Sequence, residues 1–297
     1  MKRRNFLIYS LLFAGGCSAL KRNSINQAGS KKLKPLQKLR FAVTDAKPED
    51  LERDYEPFRA ALEEVLALPV EFFPVDDYFA AAAALQSDLV DLVWAGPSEY
   101  VVIKARTTAV PLVELPRPEY YTVAWVRADS GIKSLSDLKG KTLDVRKDGS
   151  TVSHLGAIKL LLDAGLDPTT DVNLIMSGEH SLTPLETGEA DAMTRAPYRY
   201  KNALIKAAAT EEDYPIIAQG QQLPSDILIA SSYLEEPRKA DMQAKILAGE
   251  AQLMAAIGSV DRLSFRFKGS TLLPADDANY DAIRQVYQAI GQGDFLQ

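Results

Sequence analysis

Segments typical of β-strands alternate with helical segments along the chain from residue 39 onward. Residues 39–43 form a short apolar run, residues 51–68 carry apolar side chains at helical spacing, and residues 70–73 are again strand-like. This repeated β-α-β order predicts an α/β fold of mostly parallel sheets with helices on both faces. Two long helices, near residues 237–256 and 277–290, are predicted to close the chain. A chain of 297 residues, of which 46% are hydrophobic, can bury the core that such a fold needs.

The first 17 residues have the features of an export signal. A basic head is followed by an apolar run of about 11 residues, too short for a membrane-spanning helix of roughly 20. The run Arg3-Arg4-Asn5-Phe6-Leu7 is similar to a twin-arginine signal. Small residues directly before Cys17 are typical of a bacterial lipobox, in which the cysteine is lipidated; the alternative is a plain signal peptide with an incidental cysteine.

These features predict a lipid-anchored protein in the periplasm or on the outer face of the cytoplasmic membrane. Residues 18–35, rich in Lys, Ser, Asn and Gln, are predicted to be a flexible tether. The formal net charge of −6 argues against a nucleic-acid partner. Cys17 is the single cysteine, so a lipidated chain has no disulfide, and two histidines without a tight carboxylate cluster predict neither metal nor cofactor.

The segment Asp148-Gly149-Ser150-Thr151-Val152-Ser153 lies between a predicted strand, residues 142–145, and a predicted helix that starts at Ser150 and runs to about residue 164. A strand-to-helix turn directs free backbone N–H groups at one point, where the helix dipole favours negative charge. The two hydroxyls of Ser150 and Thr151 add donors of the kind that a tetrahedral oxyanion needs. The alternative interpretation is an ordinary helix N-cap.

Four segments together resemble one family. Residues 130–141 resemble the "SGI-S-L-DLKGK" segment of type II periplasmic binding proteins. With Gly149-Ser150-Thr151, Gly178-Glu179-His180 and residues 188–192, the chain is similar, from about residue 39 to 230, to the PhnD-like phosphate-, phosphite- and phosphonate-binding proteins of ABC importers.

The resemblance implies two α/β lobes joined by two crossing strands, with the ligand in the cleft between them. Residues 36–115 and 224–297 would form the first, discontinuous lobe, and residues 116–223 the second. Because ligands of open α/β sheets bind outside the carboxyl ends of the strands, the candidate residues are expected to meet at those ends. A cleft of this kind closes on its ligand by a hinge motion.

The resemblance also implies roles for single residues. In the family, the position of Ser150 and Thr151 grips the phosphorus oxyanion; Val152 replaces a third hydroxyl, for which Ser153 is a substitute. His180 would donate to the same oxyanion, and Tyr78 and Tyr120 would close over the ligand. Ser98, at the start of the next helix after a buried strand, is a further candidate donor.

Asp226 and Arg195 bear on the choice of ligand. Asp226 matches an acid that, in binders of 2-aminoethylphosphonate, holds the ammonium group together with a second carboxylate. The second acid is expected near Tyr198, where this sequence has none and Arg195 lies close by. A cation there would repel an amino group, so phosphite, phosphate or a small phosphonate is the predicted ligand. Alternatively, Arg195 pairs with an acid at the rim.

The predicted function is that of a monomeric, non-catalytic receptor that delivers a small phosphorus oxyanion to an ABC permease in the membrane. Ser150 and His180 could form a hydrolase pair, but no Gly-x-Ser-x-Gly elbow is present. Two alternatives stay open: a periplasmic sensory module for a small anion, and a receptor for a different oxyanion or a carboxylate.

Overall fold

A computed structural model describes residues 36–293 of the chain. The predicted signal peptide, the tether and the lipidation site at Cys17 lie outside the described residues. Within residues 36–293, no helix has both the length and the apolar character that a bilayer span requires.

Eleven strands form two sheets among the described residues. The strands are β1 Leu39–Val43, β2 Val70–Phe72, β3 Leu92–Ala95, β4 Val110–Leu115, β5 Val123–Val126, β6 Thr142–Asp144, β7 Asn173–Ile175, β8 Ala192–Arg195, β9 Ile216–Gln219, β10 Asp226–Ala230 and β11 Leu273–Pro274. One sheet has the order β11-β4-β10-β3-β1-β2, and the other has the order β7-β6-β8-β5-β9.

Ten α-helices flank these sheets in residues 36–293. They are α1 Leu51–Leu66, α2 Tyr78–Gln86, α3 Pro97–Arg106, α4 Gly156–Asp163, α5 Thr183–Glu186, α6 Pro197–Ala207, α7 Glu236–Ala248, α8 Glu250–Gly258, α9 Asp261–Phe267 and α10 Asp281–Ala289. Short 3₁₀ turns occupy Pro48–Asp50, Ala128–Ser130, Leu135–Leu138 and Asp277–Tyr280.

Both sheets are mixed. In the six-stranded sheet β1 is parallel to β2 and β3, whereas β10 is antiparallel to β3 and β4, and β11 is antiparallel to β4. In the five-stranded sheet β6 is parallel to β7 and β8, and β5 is antiparallel to β8 and β9. The two-lobed α/β architecture with helices on both faces is as predicted. The prediction of mostly parallel sheets is corrected, because five of the nine strand pairs among the described residues are antiparallel.

Successive side chains of β1 point to opposite faces of the six-stranded sheet, and both faces are buried. Leu39 and Phe41 pack on one side with α1 and the C-terminal helices, while Ala42 faces the opposite side with α2 and α3. Phe41 and Phe58 of α1 have ring centroids 5.9 Å apart. Trp125 of β5 packs in the same way on Tyr200 of α6, at 5.1 Å. These cores hold the strand ends, and the loops that follow them, in fixed positions.

The C-terminal region differs from the prediction of two long helices. The first helix breaks at Gly249, a poor helix former whose Cβ would lie 2.5 Å from the side chain of Val65 in α1. A third helix, α9, follows after a short turn and was not predicted. The second predicted helix begins with the 3₁₀ turn Asp277–Tyr280 before α10.

Candidate ligand-binding site

The candidate cradle after β6 is a π-helical turn, Thr151–Leu155, that leads directly into α4. The backbone N–H groups of His154 and Leu155 both donate to the carbonyl of Ser150, at 2.9 and 3.0 Å. A single π turn of this kind inserts an extra residue and often occurs at functional sites. The helix predicted from Ser150 is therefore present, but its first turn is wider than an α-helical turn.

Two threonines from neighbouring strands hold this turn in place. Thr122, just before β5, donates to the Val152 carbonyl at 2.7 Å, and Thr194 of β8 donates to the Ser153 carbonyl at 2.8 Å. A Cβ at Gly156 would overlap the Thr122 hydroxyl, so only glycine permits this close approach. Hydrogen bonds from Thr122, next to β5, and from Thr194 of β8 therefore fix the turn against the five-stranded sheet.

The hydroxyls of the cradle are buried. Ser150 Oγ accepts from the N–H of Ser153 at 3.3 Å, as an N-cap does. Thr151 Oγ1 donates to Ser98 Oγ at 2.8 Å and accepts from the Ser98 N–H at 3.2 Å. Ser98 belongs to α3, beside the six-stranded sheet, so the Thr151–Ser98 pair joins the two lobes.

A cleft of about 140 Å³ opens beside this turn. Of the nine residues that the sequence analysis placed in the ligand site, six line this cleft: Tyr120, Ser150, Thr151, Ser153, His180 and Arg195. Three do not line it: Tyr78, Ser98 and Asp226. Tyr78 instead borders a separate surface pocket with Phe79 and Gly149.

The lining of the cleft is strongly basic. Seven basic residues border it, namely Arg117, Arg146, Lys147, Arg195, Arg199, Arg262 and Arg266, against two acids, Asp45 and Glu99. Of these seven, only Arg195 was expected in the site from the sequence. Arg262 and Arg266 come from the unpredicted α9, together with Phe265.

Several donors in the lining are buried and lack a hydrogen-bond partner. Within residues 36–293 these include Nε of Arg117, Arg146 and Arg266, and Nδ1 of His180. A buried donor without an acceptor costs about 1–3 kcal/mol, so such groups are rare in a folded protein. All four side chains line the same cleft, which points to a site for an acceptor-rich ligand.

All three nitrogens of the Arg195 guanidinium donate hydrogen bonds to other groups of the protein. Its Nη2 donates to Asp144 Oδ2 at 2.6 Å and to the Glu179 carbonyl at 2.7 Å. Its Nη1 donates to the carbonyls of Asp144 and Thr194, and its Nε to Glu179 at 3.2 Å. The alternative of pairing with an acid fits the structure, but the acid is the buried Asp144 rather than a rim residue. The expected contact with the ligand stays a prediction; in the structure Arg195 lines the cleft and ties the segment before His180 to β6.

One carboxylate oxygen of Asp226 has internal partners, whereas the other, Oδ1, is buried without a hydrogen-bond partner. Its Oδ2 accepts from Nη2 of Arg117 and, at 3.2 Å, from Nε1 of Trp94, and Arg266 lies 3.9 Å away. The carboxylate is buried behind the cleft rather than in its lining. Its place in the ligand site stays a prediction; in the structure it neutralises and orients two arginines that line the cleft.

His180 and Tyr120 lie in the lining with strongly shifted proton affinities. Burial, together with the nearby Arg199, Arg146 and Arg195, lowers the pKa of His180 to about 4, so the imidazole is neutral at pH 7. Burial raises the pKa of Tyr120 to about 12, which keeps its hydroxyl protonated. Both can therefore act as neutral hydrogen-bond donors to an anion.

An aromatic contact connects the two lobes at the mouth of the cleft. Tyr198, at the start of α6, and Phe265 of α9 have ring centroids 4.8 Å apart. Arg199 lies over the Tyr198 ring at 5.0 Å and donates from Nε to its hydroxyl at 3.1 Å.

No group of three metal-binding side chains is found in residues 36–293.

Comparison with known proteins agrees with this geometry. The family model of periplasmic substrate-binding proteins of phosphonate ABC transporters matches residues 41–280. The phosphate-import protein PhnD of Mycolicibacterium smegmatis is 24% identical over 274 residues, which is 84% of each chain.

Two solved structures share the fold. XAC2383 from Xanthomonas citri, bound to a chloride ion, has a TM-score of 0.69 at 16% identity and covers 87% of this chain and 99% of its own. PhnD1 from Prochlorococcus marinus, in complex with methylphosphonate, has a TM-score of 0.65 at 18% identity and covers 86% of this chain and 99% of its own. This chain belongs to the family of periplasmic phosphonate-binding proteins, and its role is that of the substrate-binding component of an ABC transporter.

Proposed function

We propose that this protein binds a small phosphorus oxyanion without an amino group, such as phosphite, phosphate or a small phosphonate, and delivers it to its permease. The observation that supports this most strongly is the set of buried, unpartnered donors of Arg117, Arg146, Arg266 and His180 around one cleft. A tetrahedral oxyanion offers several acceptor oxygens within a small radius, and charge-assisted bonds from arginine to such oxygens are strong.

The volume of the cleft and the charge of its lining further restrict the class of ligand. The cleft volume of about 140 Å³ is well below the roughly 300–1,000 Å³ of pockets for drug-sized ligands. Most of the charged groups that a ligand ammonium would face are basic, and Asp226, the acid that the resemblance assigned to it, is already paired with Arg117. These two facts favour a compact anion over an aminoalkyl compound.

The proposal also covers the export route of the protein and its attachment to the membrane. We infer export by the twin-arginine route and lipidation at Cys17, which would keep the receptor near its permease. The phosphate-import protein and the methylphosphonate-bound structure among its relatives support a phosphorus ligand. Ser150, Thr151 and Ser153 would contribute hydroxyl or backbone donors from the π turn, and Tyr120 would cover the ligand.

Calorimetric titration of the lipid-free mature protein tests this function. Phosphite, phosphate, methylphosphonate and 2-aminoethylphosphonate are titrated in turn. The expected result is binding of at least one of the first three with a Kd of about 1 μM or tighter, and at least tenfold weaker binding of the amino compound (~1.4 kcal/mol). Binding of the amino compound alone would contradict the ligand class, and so would the absence of binding to all four.

A further inference from the structure

One acid in the lining has no cation partner. Glu99 lies in the first turn of α3, and its side chain folds back over the start of that helix. A Cβ at Gly96 would overlap Glu99 Oε2, so glycine at position 96 permits this conformation. Glu99 Oε2 accepts from Ser98 Oγ at 3.2 Å, and the Ser98 hydroxyl in turn accepts from Thr151. The carboxylate is therefore held in the cleft by a short chain of hydroxyls.

Asp45, the other acid of the lining, is neutralised by ion pairs with arginines. It lies 2.7 Å from Nη1 of Arg266 and 3.8 Å from Arg262, and these arginines hold its pKa at about 2. Glu99 has no ion pair of this kind within residues 36–293, although seven basic residues line the same cleft. Burial and the charges of Asp45 and Asp226 raise the pKa of Glu99.

A carboxylate that has no cation partner, and whose pKa is raised, readily shares a proton with a ligand. A carboxylate accepts hydrogen bonds and repels an oxygen that carries only negative charge. Phosphorus oxyanions keep a P–OH proton up to a second pKa of about 6 or somewhat above, and that proton can be donated. Sulfate and sulfonates have no proton to donate at neutral pH, so Glu99 would face their bare oxygens.

We propose that Glu99 is the specificity-determining acceptor for the P–OH group of the ligand, so that the cleft selects protonated phosphorus oxyanions over sulfate and sulfonates. This inference rests on the proposed function and adds the protonation state of the ligand to it. The donors of Arg146 and His180 bind the charged oxygens, and Glu99 takes the remaining, protonated oxygen. Loss of one hydrogen bond to a charged group is equivalent to about 10- to 150-fold in Kd.

Methylphosphonate and methanesulfonate provide a matched pair of probes, because they have nearly the same shape and differ in the P–OH group. Both are titrated calorimetrically at about pH 6, near the second pKa of such groups, into the wild type, Glu99→Gln and Glu212→Gln. Glu212 is exposed in the loop before β9, so its variant is the control for loss of one negative charge. The wild type and Glu212→Gln should prefer methylphosphonate by at least about 10-fold. Glu99→Gln, whose amide can donate, should reduce that preference to about 3-fold or less, mainly by tighter binding of methanesulfonate.

The outcomes separate the inference from the function on which it rests. Equal preference in the wild type and Glu99→Gln would overturn the role of Glu99 while leaving a phosphorus-binding receptor. A wild type that binds only methanesulfonate would overturn the proposed function itself. If Glu99→Gln does not fold, the wild type is titrated from about pH 6 to about pH 9, a range in which the P–OH proton is lost. Asp45 and Tyr120 keep their charge states over that range, with pKa values of about 2 and 12. Loss of at least about tenfold in methylphosphonate affinity alone supports the inference (~1.4 kcal/mol), and parallel behaviour of both probes overturns it.

Discussion

Replacement of Arg146 with glutamine is expected to weaken ligand binding and to leave the ligand-free protein slightly more stable. Arg146 follows β6 with a φ of 68°, and its Nε is buried without a partner. Burial and the nearby charge of Arg199 lower the pKa of its guanidinium, so the charge is less well stabilised in the free protein than in water. An anion in the cleft would reverse this balance, because it would supply the missing acceptor and the missing negative charge.

The two effects have different magnitudes. Loss of a hydrogen bond from a charged donor costs about 1.5–3 kcal/mol, or about 10- to 150-fold in Kd. Relief of repulsion between two like charges is worth about 0.2–0.5 kcal/mol, which raises Tm by roughly 1 °C in a chain of this length. The variant should therefore lose affinity without losing stability, as is typical of a residue maintained for function.

Calorimetry with methylphosphonate and thermal melting without ligand measure the two effects separately. Arg127→Gln is the matched control, since Arg127 is only partly buried, lies outside the cleft and pairs with Asp129 at 2.6 Å. Its affinity for the ligand should equal that of the wild type. A fall of several degrees in the Tm of Arg146→Gln with unchanged affinity would assign Arg146 a structural role and refute this reasoning.

Three further predictions concern the cradle and the donors around it. Joint replacement of Ser150 and Thr151 by alanine should weaken methylphosphonate binding by at least about tenfold, and unchanged affinity in calorimetry would remove the cradle from the site. The pKa of His180, read by NMR, should be about 4 in the free protein and should rise when the ligand is bound, because the anion stabilises the imidazolium; a pKa that does not move would exclude contact. Gly156→Ala should lower the free energy of unfolding by about 1–3 kcal/mol, because its Cβ overlaps a threonine hydroxyl. Gly258→Ala, in open space within α8, should instead be neutral or stabilising in the same denaturant titration.

The sequence predicted those parts of the fold that have a local signal. Apart from the two-residue β11, which was not predicted, the strands of the two sheets and most helices appear as apolar runs, since burial imposes a regular spacing. α9 was missed because it has only seven residues, and its buried side chains, Leu263 and Phe267, give a single helical spacing that is too short to recognise. The break at Gly249 depends on contact with Val65, which lies far away in the sequence.

In the candidate site, too, features with a local sequence signal could be predicted, and features that depend on distant contacts could not. The π turn with Ser150 and Thr151 could be located because hydroxyls follow a strand and precede a helix within a few residues. The arginine cluster could not, because Arg117, Arg146 and Arg266 come from separate segments and meet only in the folded chain. Arg195 was expected in the ligand site and lines the cleft, but its partner Asp144 lies 51 positions away, so this ion pair could not be recognised in the sequence.

The lobe boundaries remain a prediction, although the strands are arranged in a compatible way. All strands of the six-stranded sheet fall within residues 39–115 and 226–274, and those of the five-stranded sheet within residues 123–219. The contacts between Thr151 and Ser98, and between Tyr198 and Phe265, connect segments beside the two sheets. Opening of the cleft would have to break both contacts.

A crystal structure of the protein in complex with methylphosphonate tests the proposed ligand site most directly. The phosphorus should lie in the cleft, with its oxygens about 3 Å from Nε of Arg146, from Nδ1 of His180 and from a hydroxyl or N–H of the Ser150–Thr151 turn. One oxygen should lie within hydrogen-bond distance of the Glu99 carboxylate. Phosphonate bound elsewhere on the protein, or in the cleft with these donors still unpartnered, would contradict the proposed function.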